Sequence, residues 1–325
     1  MPDAKLIFFG SDAICLPALN YLHGLKAGVK LHALISQPDR PSGRGKQLQA
    51  NPAAAWAQEN DVPLLQPEKP DTELAEWITA EGVQLSLVMA YGHFLPRAVR
   101  EASARGMFNF HGSILPAYRG ASPVETALAE GDCETGVSLM EVGAAMDAGG
   151  VCDVERLVIE ASDTSQRLRA RVGKAVVPLL ERNLAGLLEG SLSFEPQDPS
   201  AVTYCRKIHK RDGILDFNLS AKQLEARLRA FNPWPGGAFE FKGTTIKVGQ
   251  AEAVSGDTDA AVGTVVSADA RGLAIATGSG LLCVHTLQRP GGRMLPAGAF
   301  LRGFSIETGA VLKGAESIPL VREAL

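Results

Sequence analysis

The sequence predicts an α/β fold: an open, mainly parallel sheet covered by helices, followed by a smaller all-β unit. Three observations carry this. Short β-rich runs alternate with longer helical windows up to about residue 190, the order in which a parallel sheet and its crossover helices appear in a chain. A stretch rich in proline, aspartate and serine follows at 191–203, and beyond it short apolar runs recur at the spacing of a small barrel. The length, 325 residues, is about twice the ~100 to 200 of one ordinary domain.

The strand-like runs of the first part are 6–9, 33–36, 84–89, 107–110 and 137–142. Between them, Ser122-Pro123-Val124-Glu125 has the form of a capping box with proline at the first helical position. Asp163-Thr164-Ser165-Gln166 opens a long helical window that ends near Gly190. Ser220-Ala221-Lys222-Gln223 starts one more capped helix. After it, runs at 238–241 and 245–248 flank the turn Lys242-Gly243-Thr244, and others follow at 263–266, 273–276 and 281–286. The expected organisation is a Rossmann-like open sheet over 1–190, a linker over 191–205 and an OB-like β-barrel over 206–325.

Charge narrows the function. With 32 Lys+Arg against 36 Asp+Glu, the formal charge of -4 argues against a polycation that coats nucleic acid or membrane nonspecifically. Residues 206–325 nevertheless carry 15 Lys+Arg against 11 Asp+Glu, so a polyanionic partner is expected to meet that part. Five scattered cysteines without a Cys-x-x-Cys pair fit a reducing compartment, and the histidines supply no metal-ligand pattern. The apolar run at 6–9 is too short for a secretory signal, and the uncharged stretch 82–96 falls short of the ~18 apolar residues of a membrane span. A soluble cytoplasmic protein is expected.

Chemistry concentrates in a few places. The first strand runs into Phe9-Gly10-Ser11-Asp12, and the missing Gly-x-Gly-x-x-Gly counts against nicotinamide or flavin binding. The densest cluster is 109–120, Asn-Phe-His-Gly-Ser-Ile-Leu-Pro-Ala-Tyr-Arg-Gly. On a strand, Asn109 and His111 point to one side, at the end where open α/β sheets bind ligands. Their N–H donors suit an oxygen that gains charge during acyl transfer. Singly, each is more often an ordinary loop-entry residue. Ser113 as a hydrolase nucleophile fits poorly, because no Gly-x-Ser-x-Gly elbow surrounds it. Asp147, in Met146-Asp147-Ala148-Gly149-Gly150, belongs to a turn and gains weight only as the partner of His111. The segment 37–47, with two prolines, two glycines and three basic side chains, reads as a loop whose cations can reach phosphates.

These segments also occur together in a known family. They are 6–11, Gln37-Pro38-Asp39-Arg40-Pro41 with Gly43-Arg44-Gly45-Lys46, Gln66-Pro67-Glu68, Ala90-Tyr91-Gly92, 109–120, Glu134-Thr135-Gly136-Val137 and Asp147. Arg229-Ala230-Phe231-Asn232-Pro233-Trp234-Pro235-Gly236 and Phe300-Leu301-Arg302-Gly303-Phe304 complete the set. Over nearly its whole length the chain resembles the methionyl-tRNA formyltransferases. The resemblance implies transfer of a formyl group from 10-formyltetrahydrofolate to the amino group of initiator methionyl-tRNA, for translation initiation, without a metal. It implies Asn109, His111 and Asp147 as the catalytic trio, and Ser113, Ile114, Leu115 and Pro116 as the folate-contacting turn. Arg40, Arg44 and Lys46 are then the tRNA-probing cations, and the C-terminal barrel binds tRNA. Two departures stand out. Asp147-Ala148-Gly149-Gly150 replaces the family's frequent Asp-Thr-Gly-Asp, and Ala117-Tyr118 replaces a common Arg-Trp pair. The alternative is an N-formyltransferase acting on a nucleotide-linked amino sugar; a noncatalytic nucleic-acid-binding protein is the rival from another class.

Overall fold

The computed structural model describes residues 3–25, 28–42, 47–256 and 258–323. Strand β1 (Ala4–Phe9) leads through a short 3-10 turn into α1 (Leu16–His23) and β2 (Val29–Ile35). The hairpin strands β3 (Arg40–Ser42) and β4 (Gln47–Gln49) follow, then α2 (Pro52–Glu59), β5 (Leu64–Leu65), α3 (Thr72–Ala80) and β6 (Leu85–Val88). Next come α4 (Arg97–Arg100), β7 (Met107–His111), β8 (Arg119–Gly120), α5 (Pro123–Glu130), β9 (Glu134–Glu141), β10 (Val151–Val158) and α6 (Ser165–Glu189).

The main sheet has seven strands in the order β10-β9-β7-β6-β1-β2-β5. From β5 to β7 all neighbours are parallel, and β9 and β10 are added antiparallel. Helices on both faces explain the apolar β1: Leu6 and Phe8 join the core cluster of α1 and α6, whereas Ile7 and Phe9 join that of α3. All four are fully buried.

Local signals decide most helix ends. Asn51 and Asp71 accept from Ala54 N and Leu74 N at the starts of α2 and α3. Thr164 caps α6, which stops at Gly190 in the left-handed region (φ 72°). The expected capping box at Ser122 does not form, because tertiary partners take both side chains. Ser122 Oγ accepts from Ile208 N at 3.4 Å, and Glu125 pairs with Arg169 at 2.8 Å. The expected loop at 37–47 is also partly regular: β3 and β4 pair in the register Arg40 with Gln49 and Pro41 with Leu48. Proline is tolerated there because a two-stranded ribbon leaves one edge of each strand unpaired. Arg44 and Lys46 lie outside the described residues.

The C-terminal part contains β11 (Thr203–Cys205), α7 (Ala221–Ala230), β12 (Gly237–Phe241), β13 (Thr244–Val248), β14 (Ala251–Val254), β15 (Val265–Ala268) and β16 (Leu273–Ala276). β17 (Leu281–Val284), β18 (Thr286–Gln288), β19 (Leu295–Pro296), α8 (Ala297–Gly303) and β20 (Val321–Glu323) complete it. Two four-stranded antiparallel sheets, β12-β13-β18-β19 and β14-β17-β16-β15, enclose one core that includes Phe239, Ile246, Ile275, Leu282 and Leu287. The capping box at Ser220 and Gln223 is present. Lys242 and Gly243, both at positive φ (48° and 73°), make the two-residue turn that joins β12 to β13. The expected strand at 281–286 is divided at His285. Among the described residues no helix is long and apolar enough to cross a membrane.

Candidate active site

β7 delivers Asn109 and His111 to the C-terminal end of the parallel strands. Val88 stands opposite Asn109, and Ser138 opposite His111. Asn109 is half-buried, and among the described residues its side-chain amide has no hydrogen-bond partner within the protein. His111 is buried (6% exposed). Its Nε2 lies 2.9 Å from the Tyr118 carbonyl oxygen, which can only accept, so Nε2 carries the proton. Nδ1 faces Asp147 Oδ2 at 3.7 Å, beyond hydrogen-bond distance. In the neutral ring this nitrogen is a lone pair turned towards the carboxylate.

Asp147 is held firmly. Its Oδ2 accepts from Gly120 N at 2.8 Å, and its backbone sits in the left-handed region (φ 50°), where a side chain costs energy. Tyr118, the other partner of His111, is also left-handed (φ 57°). Sequence reasoning missed the residue that braces both sides. Gln197 donates its amide to Asp147 O at 2.9 Å and Gly149 O at 2.8 Å, while its Oε1 accepts from Arg119 Nε and Nη2 at 3.0 and 2.8 Å. Arg119 is itself buried and packs over the Tyr204 ring. Gln197 lies in the Pro-, Asp- and Ser-rich stretch, whose composition signals only a connection.

That stretch lines the site. β11 pairs in parallel with β8 and antiparallel with β20, Tyr118 N donates to Thr203 Oγ1 at 2.9 Å, and Thr203 N to Pro116 O at 3.3 Å. Gly120 must be glycine at φ 114°, because a Cβ there would stand 2.4 Å from the Cys205 carbonyl oxygen. Burial pushes the Cys205 thiol up to about 11, which keeps it a neutral neighbour of this ladder at ordinary pH.

The turn 113–116 sits beside the trio. Ser113 is fully buried; its hydroxyl donates to Ala117 O at 2.6 Å, and its carbonyl accepts from Ser138 Oγ at 2.7 Å. Ser138 Oγ also accepts from Leu115 N at 3.0 Å. Ser113 therefore closes the turn, leaving the half-buried Ile114 and Pro116 as its accessible side chains. Leu115 is buried. At the neighbouring strand ends, Gln37 donates to Tyr91 O at 2.7 Å and Gln66 to Asp39 Oδ1 at 2.7 Å. Arg40 is exposed and paired with Glu68 at 3.3 Å. The fold thus brings His111 and Asp147 together, with Asn109 two residues before His111 on the same strand, and places Arg40 on the β3–β4 ribbon.

An amide donor, an imidazole and a carboxylate at the open end of a parallel sheet fit an acyl-transfer class of site. Residues 4–183 match the formyl transferase family and residues 207–305 its C-terminal domain. The chain belongs to the formyl transferase family. It is 41% identical to the methionyl-tRNA formyltransferase of Delftia acidovorans, covering 96% of this chain and 98% of that one. With the methionyl-tRNA formyltransferase of Coxiella burnetii it shares 36% identity over 91% and 94%. Among solved structures, the N-formyltransferase of Helicobacter canadensis in complex with folinic acid and dTDP-3-aminofucose has the same fold (TM-score 0.65, 17% identity, 88% of this chain and 99% of that one). HypX of Aquifex aeolicus also shares it (TM-score 0.59, 16% identity, 93% of this chain), and the chain spans 48% of the length of HypX.

Proposed function

We propose that the chain transfers the formyl group of 10-formyltetrahydrofolate to the amino group of initiator methionyl-tRNA. The convergence of Asn109, His111 and Asp147 at one strand end carries the chemistry. Full-length relatives at 36–41% identity, each a methionyl-tRNA formyltransferase, carry the choice of acceptor.

The site suits a folate donor: among the described residues the Asn109 amide has no partner, and Ile114 and Pro116 offer apolar surface beside it. The folate supplies an activated formyl group on a nitrogen that can leave. The acceptor amine, with a reference pKa near ~8, is largely able to attack as the free base. The residues then hold amine and carbon together, and Asn109 donates to the oxygen that becomes negative at the tetrahedral stage. A C–N bond forms to the amine, the bond to the folate nitrogen breaks, and one proton passes from the former to the latter. His111 Nδ1 and Asp147 are placed to hold that proton in transit, with Gln197 and Gly120 fixing the carboxylate.

The C-terminal sheets, with their basic excess, are the proposed tRNA-binding unit, joined by the cations Arg40, Arg44 and Lys46. The test is formyl transfer with charged initiator tRNA beside a nucleotide-linked amino sugar, each with 10-formyltetrahydrofolate. Formylation of the tRNA alone is the expected result; modification of the sugar alone overturns the assignment.

A further inference from the structure

We propose that Glu252, Cys283 and His285 form a zinc-binding site on the outer face of the C-terminal domain. Glu252 on β14 and Cys283 on β17 are direct cross-strand partners, and His285 follows Cys283 by two residues. Period-two alternation turns Glu252 and Cys283 to the face opposite Leu282 and Val284, which enter the core, and His285 follows directly beyond the end of β17. The carboxylate oxygen, thiol sulfur and imidazole nitrogen lie within 4.8 Å of one another, so a small movement brings them around one ion.

The imidazole is already oriented for this. His285 Nδ1 lies 2.9 Å from the Arg271 carbonyl oxygen and therefore donates, which leaves Nε2 as the free lone pair. That bond is the outer-shell contact that fixes the tautomer of a metal-binding histidine. Nε2 in turn sits 3.2 Å from Glu252 Oε1. Two lone pairs do not approach so closely unless a positive charge lies between them, either a proton or a metal ion. The neighbouring thiol favours the metal, because sulfur, imidazole and carboxylate together match a borderline-soft ion such as Zn²⁺.

The surroundings leave room. A Cβ on Gly272 would stand 2.7 Å from Cys283 Sγ, so glycine at 272 clears the space beside the sulfur. Asp269, the other nearby carboxylate, is taken by Arg271 at 2.9 Å and stays outside the ligand set. Three protein ligands leave the fourth tetrahedral position to water, and the thiol gives up its proton as the sulfur–metal bond forms. Burial, with Glu252 and Asp269 nearby, raises the Cys283 thiol, so the ion must displace a tightly held proton.

The experiment titrates cobalt chloride, then zinc chloride, into the chelator-treated full chain. One equivalent of cobalt should bind and give the near-ultraviolet absorption of a thiolate-to-cobalt bond, and one equivalent of zinc should remove it. Cys283→Ser should abolish the band, whereas the exposed Cys133 replaced by serine should leave it intact. His285→Gln should weaken zinc binding by more than the roughly 10- to 100-fold lost with an outer-shell partner. Circular dichroism checks that each variant is folded. Cobalt binding without the band, a band that survives Cys283→Ser, or no binding by the folded wild type overturns the site.

Discussion

Gly120 donates its backbone N–H to Asp147 Oδ2 at 2.8 Å, joining residues 27 positions apart. The same carboxylate oxygen faces His111 Nδ1 at 3.7 Å, so the end of β7 and the loop after β9 meet at one imidazole–carboxylate pair. Asp147→Asn keeps the shape and loses the charge that faces Nδ1. In the proposed mechanism, replacement of Asn109 by alanine removes a donor to the developing oxyanion. Each change should cost about 2.7 to 4 kcal/mol in the barrier, a hundredfold to a thousandfold in kcat, with folate affinity nearly unchanged. The double variant should lose less than the sum of the two. Steady-state kinetics and folate titration decide this, and full additivity would mean that the two residues do not act as a unit.

Gln197 reads as a positioning residue. With Gln197→Ala, the loop of Asp147 loses two backbone anchors and Arg119 loses its acceptor, so kcat should fall on the order of tenfold to a hundredfold through misplacement. Gln197→Glu can still accept from Arg119 but can no longer donate to Asp147 O and Gly149 O. Wild-type turnover in the glutamate variant would show that those two donations are irrelevant to the reaction.

Asp212 predicts how stability responds to acid. Burial works to raise its carboxyl, but hydrogen bonds from Arg206 at 2.7 and 2.8 Å and from His209 N at 2.6 Å outweigh burial and hold it below the usual carboxylate range. A carboxylate lowered in the folded state stabilises above its unfolded pKa of about 3.9, and the contribution is lost as pH falls through the folded value. Asp212→Asn should therefore lower stability at pH 7 by about 1.5 to 3 kcal/mol, and the gap from wild type should close in acid. A gap of equal size at pH 7 and pH 2, followed by denaturant unfolding, would contradict the linkage.

The basic loop makes a separate demand. If Arg44 and Lys46 contact phosphates, replacing both by alanine should weaken tRNA binding and reduce the slope of log K against log salt by about one per contact. Folate binding should be unaffected. An unchanged slope would assign the loop to solvent.

Much of this was legible in the residues themselves. Asn109 and His111 share a face because a strand alternates, and the starts at Thr164 and Ser220 follow from side-chain oxygens within reach of the N–H three positions on. Wherever partners are distant in sequence, legibility ends. Ser122 and Glu125 have the spelling of a capping box, yet Ile208 and Arg169 claim them. The role of Gln197 depends on Arg119 and Asp147, 78 and 50 positions away, and no local pattern encodes such a link. Likewise Glu252, Cys283 and His285 meet only once β14 has paired with β17. Ser113 belongs to the motif, but its hydroxyl turns inward to Ala117, a direction that spacing cannot supply.

The ladder from β8 through β11 to β20 has a consequence for synthesis. Gly120 can be translated, and the main sheet assembled, long before residues 321–323 exist, yet β11 acquires its outer neighbour only when those residues arrive. Leu320, just before β20, is buried in the core cluster that α5 and α6 also line. On the ribosome, the trio thus emerges early, while the strand that backs its supporting wall begins 174 residues after Asp147. A nascent chain carries the chemistry of the site well before it has the rigidity to use it.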